Sequence, residues 1–304
     1  MLGLIPTMKE SIMTEEPIRT IAVFAATGSQ GGAVTDALLE AGVRVRALVR
    51  STASPKAAAL AERGAELVRV DVEEPSSLVA ALEGADAFWF MTIPPGGMQD
   101  ADTAGETRQG IALADAAAAA GVPHVVFNSV GGADRSSGVP HFDSKYLVEE
   151  HLTSLGLNTT IVRPVFFMEN FTFMAPTVED GTLVLRLPIP ADVPLQMIAV
   201  RDVGIIAAQA LLDQASLPAA IEIAGDELTG EEIASIHGGR AGLPARYEAL
   251  PLGVMDGQDD LQAMFRWFAE TPAYQADLDQ VRQVHPGLRT LGTWLDAGHA
   301  PAAP

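Results

Sequence analysis

From Thr20 onward, short unbroken apolar runs alternate with longer stretches of helix-forming residues that end in glycine. Ile21-Ala-Val-Phe-Ala25 is the first such run, the pattern of a strand buried on both faces of a parallel sheet. A helix over 33–41 stopped by Gly42 follows, then a strand over 43–49, a helix over 55–63 closed by Gly64 and a strand over 66–70. Pro75 opens a short helix over 75–82, where its missing N–H removes no helical bond. Strands over 87–92, 124–128 and 159–163 are separated by helices over 105–120 and 142–155. The repeated alternation predicts βαβ units with right-handed crossovers, in an α/β fold built on a doubly wound parallel Rossmann sheet.

After Pro164 the regularity weakens. Residues 166–174 are aromatic and rich in Met, and several prolines lie between Pro176 and Pro194. Segments 195–200, 201–212 and 219–224 read as one more βαβ unit returning to the sheet. The chain beyond Thr229 reads as helical and irregular, packed over the carboxyl edge of the sheet. The expected organisation is a Rossmann domain over 19–165, its sheet completed by about 195–225, and a smaller C-terminal α/β substrate region over 166–304. Residues 1–18 contain Met1, Met8 and Met13 and lack a signal peptide's apolar stretch. They read as a loosely ordered, flexible extension.

Composition narrows the function. Lys and Arg total 19 against 39 Asp and Glu, a formal charge of −20. Such a surface repels phosphate backbones and anionic lipid, so direct nucleic-acid or membrane-surface binding is not expected. No apolar run reaches the roughly 18 residues of a membrane span. Cysteine is absent, which excludes disulfides and thiol catalysis and fits a cytoplasmic location. The six histidines form no cluster of metal-ligand spacing, so no metal site is expected.

Between the first strand and its helix stands Ala25-Ala-Thr-Gly-Ser-Gln-Gly-Gly32. A helix N-terminus presents unpaired N–H groups and partial positive charge, and glycines let backbone approach a pyrophosphate closely. Thr27, Gly28, Ser29, Gln30 and Gly31 are therefore the expected dinucleotide cradle. An acidic residue at the end of strand two would select NAD. Val49-Arg50-Ser51 stands there instead, and the Arg50 guanidinium favours a 2′-phosphate, hence NADP(H). The competing reading of Arg50 is an ordinary solvated arginine. Asp71 and Val72, ending strand three, lie where an adenine edge would rest, or else simply start the next turn.

These segments resemble the NmrA-like family, a branch of the atypical short-chain dehydrogenases. The resemblance runs from Ile21 to about Gly225. It rests on Ala-Thr-Gly-Ser-Gln-Gly-Gly at 26–32, Leu-Val-Arg at 48–50, Gly-Ala-Glu-Leu-Val-Arg-Val-Asp at 64–71, His-Phe-Asp-Ser-Lys at 141–145 and Arg-Pro-Val-Phe-Phe-Met-Glu-Asn-Phe at 163–171. Ala25 departs from the family by replacing the first glycine of its loop, and a small residue with ordinary φ is expected to serve there. The resemblance implies a Rossmann domain and a smaller C-terminal domain with a cleft between them. It also implies two kinds of function: NADPH-dependent reduction of quinones, aromatic ethers or dyes, or dinucleotide binding that reports redox state to a protein partner.

Orthodox short-chain reductases carry Tyr-x-x-x-Lys on one helix face. Here the spacing survives as His141-x-x-x-Lys145. Lys145 is the expected ribose contact, the alternative being a surface lysine paired with Glu149. His141 reads as a proton donor near neutral pH or as a polar helix-start residue. Ser129, ending strand five, reads as a substrate contact or as turn chemistry. Thr92 and Pro94 follow strand four, and Phe166, Phe167 and Asn170 follow strand six, at the edge where open α/β sheets bind ligands. Thr92 is assigned to the cofactor. Pro94, Phe166, Phe167 and Asn170 form either core or the wall of a pocket for a flat apolar acceptor such as a quinone, enone or aromatic ring. The pairs Glu149-Glu150 and Asp277/Asp279 read as solvated helix faces. The first expectation is thus an NADPH-dependent reductase of a small apolar molecule, and the second a non-catalytic NADP(H) sensor acting through a protein partner.

Overall fold

The computed structural model describes residues 19–97 and 101–299, so the expected flexible extension lies outside the described residues. In chain order the first six strands are β1 (Thr20–Phe24), β2 (Arg44–Val49), β3 (Glu66–Arg69), β4 (Ala87–Met91), β5 (Val125–Asn128) and β6 (Thr159–Pro164). The strands that follow are β7 (Phe166–Phe167), β8 (Thr177–Glu179), β9 (Thr182–Leu187), β10 (Leu195–Ile198), β11 (Ala220–Ile223), β12 (Asp226–Leu228) and β13 (Ala245–Ala249). The helices are α1 (Ser29–Glu40), α2 (Pro55–Glu62), α3 (Pro75–Leu82), α4 (Thr103–Ala119), α5 (Pro140–Ser154), α6 (Val200–Leu212), α7 (Gly230–Ala241), α8 (Asp259–Glu270), α9 (Leu278–Val284) and α10 (Leu291–Trp294).

Seven strands form one wholly parallel sheet in the order β11-β6-β5-β4-β1-β2-β3. Alternation along each strand feeds both faces. Ile21 and Val23 join Val34 and Leu38 of α1 and Val203, Ile206 and Ala207 of α6 in one core. Ala22 and Phe24 join Leu78, Leu113, Ala117, Val148 and Leu152 of α3, α4 and α5 in the other. Burial on both faces explains why these strands are continuously apolar. Helices α1 and α6 meet so closely that a Cβ on Gly204 would lie 2.5 Å from the Ala33 carbonyl carbon.

The reading of 195–224 is corrected in one part. Strand β11 does extend the main sheet beside β6, but β10 does not join it. Instead β10 pairs in parallel with β7 and antiparallel with β12, forming a small second sheet. A third sheet pairs β9 with β8 and β13. Around these smaller sheets a third core gathers Phe142 from α5, Phe166, Met168 and Phe171, Ile233 of α7, Phe265 and Phe268 of α8, and Trp294 of α10. No helix among the described residues is long and apolar enough to cross a membrane.

Two further expectations change. Ala25 was expected to keep an ordinary φ, yet its φ is +51°. The turn requires this: the Gly28 N–H reaches back to the Ala25 carbonyl at 2.8 Å, and a φ of that sign costs an L-residue about 1–2 kcal/mol. Glu149, read as solvated, is buried, and the Arg163 guanidinium of β6 grips it through two bonds of 3.0 and 2.6 Å.

Two stability predictions follow from the fold. Ala25→Gly relieves the left-handed strain and, after the entropy of glycine is subtracted, should raise stability by about 0.5–1 kcal/mol in urea unfolding. His237 of α7 is buried against the Phe171 ring, and burial lowers its pKa from 6.5 to about 4. The unfolded chain therefore takes up a proton that the folded chain refuses. The contribution of His237 is complete above pH 6.5 and is lost as the pH falls toward 4, by about 3 kcal/mol. His237→Leu should flatten that part of the unfolding free-energy profile. Parallel profiles for variant and wild type would assign the acid sensitivity elsewhere.

Candidate functional site

The order of the strands reverses between β1 and β4, so the crevice of the sheet opens at their carboxyl ends. Helix α1 begins there at Ser29, four residues earlier than its pattern suggests, with Gly31 and Gly32 inside it. A Cβ on Gly31 would lie 2.3 Å from the Ala25 carbonyl oxygen, so only glycine lets the helix start this close to the strand. Gly28 caps α1 without a side-chain bond, and no acidic residue occupies the first turn. The positive end of the helix and its free N–H groups are thus left available to an anion. An open groove of about 650 Å³ runs from Thr27, Gly28 and Ser29 past Lys56 of α2 to Glu169 and Arg201 at the start of α6.

The loop is braced by a residue that the sequence reading missed. Asn128, ending β5, donates to Gln30 Oε1 at 3.1 Å and accepts from Trp89 Nε1 of β4 at 3.0 Å. The available signal was a single amide closing an otherwise apolar strand. Gln30 is therefore engaged within the protein. Arg50 is exposed and has no acidic partner among the described residues. Asp71 shapes the turn into α3, where its Oδ1 accepts the Glu73 N–H at 3.1 Å. Val72 packs against the second core.

Lys145 is buried, and its partner is not Glu149. Its ammonium donates to the Thr92 carbonyl at 2.7 Å, to the Thr92 hydroxyl at 3.1 Å and to Glu106 of α4. Glu106 is fully buried and accepts in addition from Thr92 Oγ1 at 2.9 Å and Ser144 Oγ at 2.6 Å. Helices α4 and α5 approach this closely because Gly110 abuts Val148, where a Cβ would lie 2.3 Å from a methyl carbon. Glu106 was also missed, since a lone acid in an Ala-rich helix does not announce which face it occupies.

His141 lies one turn before Lys145. Its backbone N–H donates to Asp260 Oδ1 of α8 at 2.8 Å, and its ring Nδ1 lies 2.6 Å from Asp260 Oδ2. Ser129 is buried at the end of β5, and its hydroxyl has no hydrogen-bond partner among the described residues. Pro94 is buried beyond β4, while the neighbouring Ile93 is exposed. Phe166 is packed in the third core against Phe171 and Phe268. Phe167 and Asn170 are half-buried, and the Asn170 carbonyl closes the turn at Phe173. Phe173 itself is 89% exposed.

The NAD(P)H azoreductase of Xenophilus azovorans is 33% identical over 238 residues, covering 76% of this chain and 77% of its own. The structure of NmrA, a negative transcriptional regulator, in complex with NAD superposes with a TM-score of 0.77 at 22% identity, over 91% of this chain and 94% of that one. The Citrobacter sp. triphenylmethane reductase complexed with NADP(H) gives 0.76 at 20% identity, over 91% and 99%. At those identities the two structures establish the fold alone. Residues 17–295 match the NmrA-like family, and the chain belongs to it.

Proposed function

We propose that this chain is an NADPH-dependent reductase of a flat apolar acceptor, of the quinone, enone or aromatic azo and dye class. The observation that carries this reading is the convergence of an uncapped α1 N-terminus and a buried lysine on one sheet edge. The cradle suits the dinucleotide: Gly31 lets α1 start against the end of β1, Gly28 leaves the helix end without a side-chain cap, and the buried Ser129 hydroxyl beside it has no partner among the described residues. Thr27, Gly28, Ser29 and Gly31 would hold the pyrophosphate, Arg50 the 2′-phosphate, and Asp71 and Val72 the adenine edge. Thr92 and Lys145 would hold the nicotinamide ribose. Lys56, which the sequence reading passed over, lines the same groove and adds a second cation near the phosphates. When bound, the cofactor supplies a hydride. The acceptor would lie between the Pro94 loop and the segment carrying Phe167 and Asn170, with the exposed Ile93 and Phe173 as apolar neighbours.

The relatives support this reading, two of them being named as reductases of azo and triphenylmethane compounds. The cofactor would rest mainly on 19–165, and the acceptor between that part and the region from 166 onward. An acidic surface and the absence of cysteine suit a cytoplasmic enzyme. One observation favours a second reading: the tyrosine of the usual Tyr-x-x-x-Lys pair is missing, and NmrA, a regulator, shares the fold. In that reading the chain is an NADP(H) sensor, and a protein partner reads its state.

The deciding experiment is NADPH titration of the purified protein, with NADPH consumption followed against a panel of quinones, enones and azo or triarylmethane dyes. Binding with steady turnover of any acceptor supports the reductase. Binding without turnover across the panel supports the sensor. Arg50→Ala should weaken NADPH about 10- to 100-fold, the worth of a charged hydrogen bond, and leave NADH nearly unchanged. Equal losses for both would remove Arg50 from the 2′-phosphate. Lys145→Met alone strands the buried Glu106 carboxylate and should cost about 3–5 kcal/mol of stability. Adding Glu106→Gln should restore stability but not turnover, and recovery of turnover in the double variant would take Lys145 out of the chemistry.

A further inference from the structure

Helix α5 starts at Pro140 with Val139 at its cap and no side-chain cap bond. The His141 N–H of its first turn therefore needs a partner from elsewhere. Asp260, 119 residues away in the first turn of α8, supplies it through Oδ1 at 2.8 Å. The other carboxylate oxygen lies 2.6 Å from the His141 Nδ1. The same buried carboxylate thus bonds the backbone N–H and stands against the ring of one histidine; the ring contact is an ion-pair contact and not an aligned hydrogen bond, and neither Nδ1 nor Oδ2 has another partner among the described residues. At that separation a proton has to lie between the two atoms, because a nitrogen lone pair facing a carboxylate oxygen would be repelled, and with Asp260 ionised that proton sits on Nδ1. Nδ1 is sealed from solvent, whereas Nε2 is not sealed and bonds to no described residue.

We infer that Asp260 is a positioning residue that fixes the tautomer and orientation of His141, making His141 Nε2 the proton donor of this site. The inference rests on the reductase reading above. It supplies what the missing tyrosine leaves open, namely the source of the proton that follows the hydride. Spacing of four places His141 on the same helix face as Lys145, whose ammonium touches Thr92 at the end of β4. The charged groups bearing on the ring are Asp260 from α8 and, one turn along α5, Lys145, whose charge is matched by Glu106 from α4.

The step balances. Bound NADPH would supply the hydride to one atom of the acceptor double bond, and the electron pair of that double bond would move to the neighbouring nitrogen or oxygen. The Nε2–H bond of the imidazolium breaks as that heteroatom takes the proton. His141 is left neutral with Nδ1–H still on Asp260, and solvent returns a proton to Nε2. Asp260 keeps the Nδ1–H in place throughout, as the aspartate does in hydrolase triads.

Asp260→Asn is the informative substitution, because its amide oxygen can still accept the His141 N–H while its NH2 faces Nδ1 and reverses the tautomer. In 15N NMR of the histidine-labelled full chain, with His141 assigned by loss of its signals in His141→Gln, neutral His141 should be the Nδ1–H tautomer. In Asp260→Asn it should become the Nε2–H tautomer. With the best acceptor of the panel, kcat of Asp260→Asn should fall about 100-fold, the usual scale of general acid catalysis. KM should stay near wild type. Asp260→Glu should recover part of the rate, and it stands in if the Asn variant fails to fold. An Nε2–H tautomer in the wild type, or an unchanged kcat in Asp260→Asn, would overturn the inference while leaving the reductase standing. A wild type that binds NADPH but turns over no acceptor would overturn both, and the NMR result would then report only a structural pair.

Discussion

No side chain fits between Gly31 and the carbonyl oxygen of Ala25, and the placement of the site follows from that contact. Because α1 can start against the end of β1, its first turn stands at the point where the sheet order reverses. A side chain at 31 would lift the helix off the strand and separate it from α6, which it meets at Gly204. The same tight turn forces Ala25 into a left-handed conformation, so the local strain and the open helix end have one geometric cause. Glycine at 25 would remove that strain, which makes the alanine a departure from the best local solution.

Buried polar links then lock the crevice from the other strands. Trp89, Asn128 and Gln30 join β4, β5 and α1 in a line of hydrogen bonds, and Thr92, Glu106, Ser144 and Lys145 join β4, α4 and α5. A carboxylate with no exposed surface, as at Glu106, is tolerable only because an ammonium and two hydroxyls satisfy it. Such groups contribute little net stability compared with well-packed apolar residues, but they hold helices in one register. The His141–Asp260 contact extends the same logic to α8, so the C-terminal part of the chain is fastened to the helix that carries Lys145.

The main sheet was legible because burial on both faces leaves a short apolar run between turn residues, a pattern that needs no partner to be seen. Strand β10 was misplaced for the complementary reason. Four buried residues before a helix look the same whichever sheet they join, and its partner Phe166–Phe167 is only two residues long. Ala25 was misread because alanine rarely adopts positive φ, and only the reach of Gly28 back to its carbonyl requires it here. Glu106, Asn128 and Asp260 were invisible as site residues because each acquires its meaning from a contact 39, 98 or 119 positions distant. The addresses of Thr92, Ser129 and Lys145 could be read from strand ends and helix spacing, but not their partners.

Lys145 raises a difficulty that its own network answers. Its three N–H donors meet three acceptors, so a ribose hydroxyl at the proposed site could be held only by exchange. The longest of these bonds, 3.1 Å to the Thr92 hydroxyl, is the one that can be given up without stranding a buried group. Thr92 Oγ1 would still donate to Glu106 at 2.9 Å, and the ammonium would keep both the Thr92 carbonyl and the carboxylate. Replacing one hydroxyl acceptor by another leaves the count of hydrogen bonds unchanged, so the exchange costs little. Glu106 therefore does more than neutralise a buried lysine. By holding Thr92 independently, it frees one donor of Lys145 to change partners.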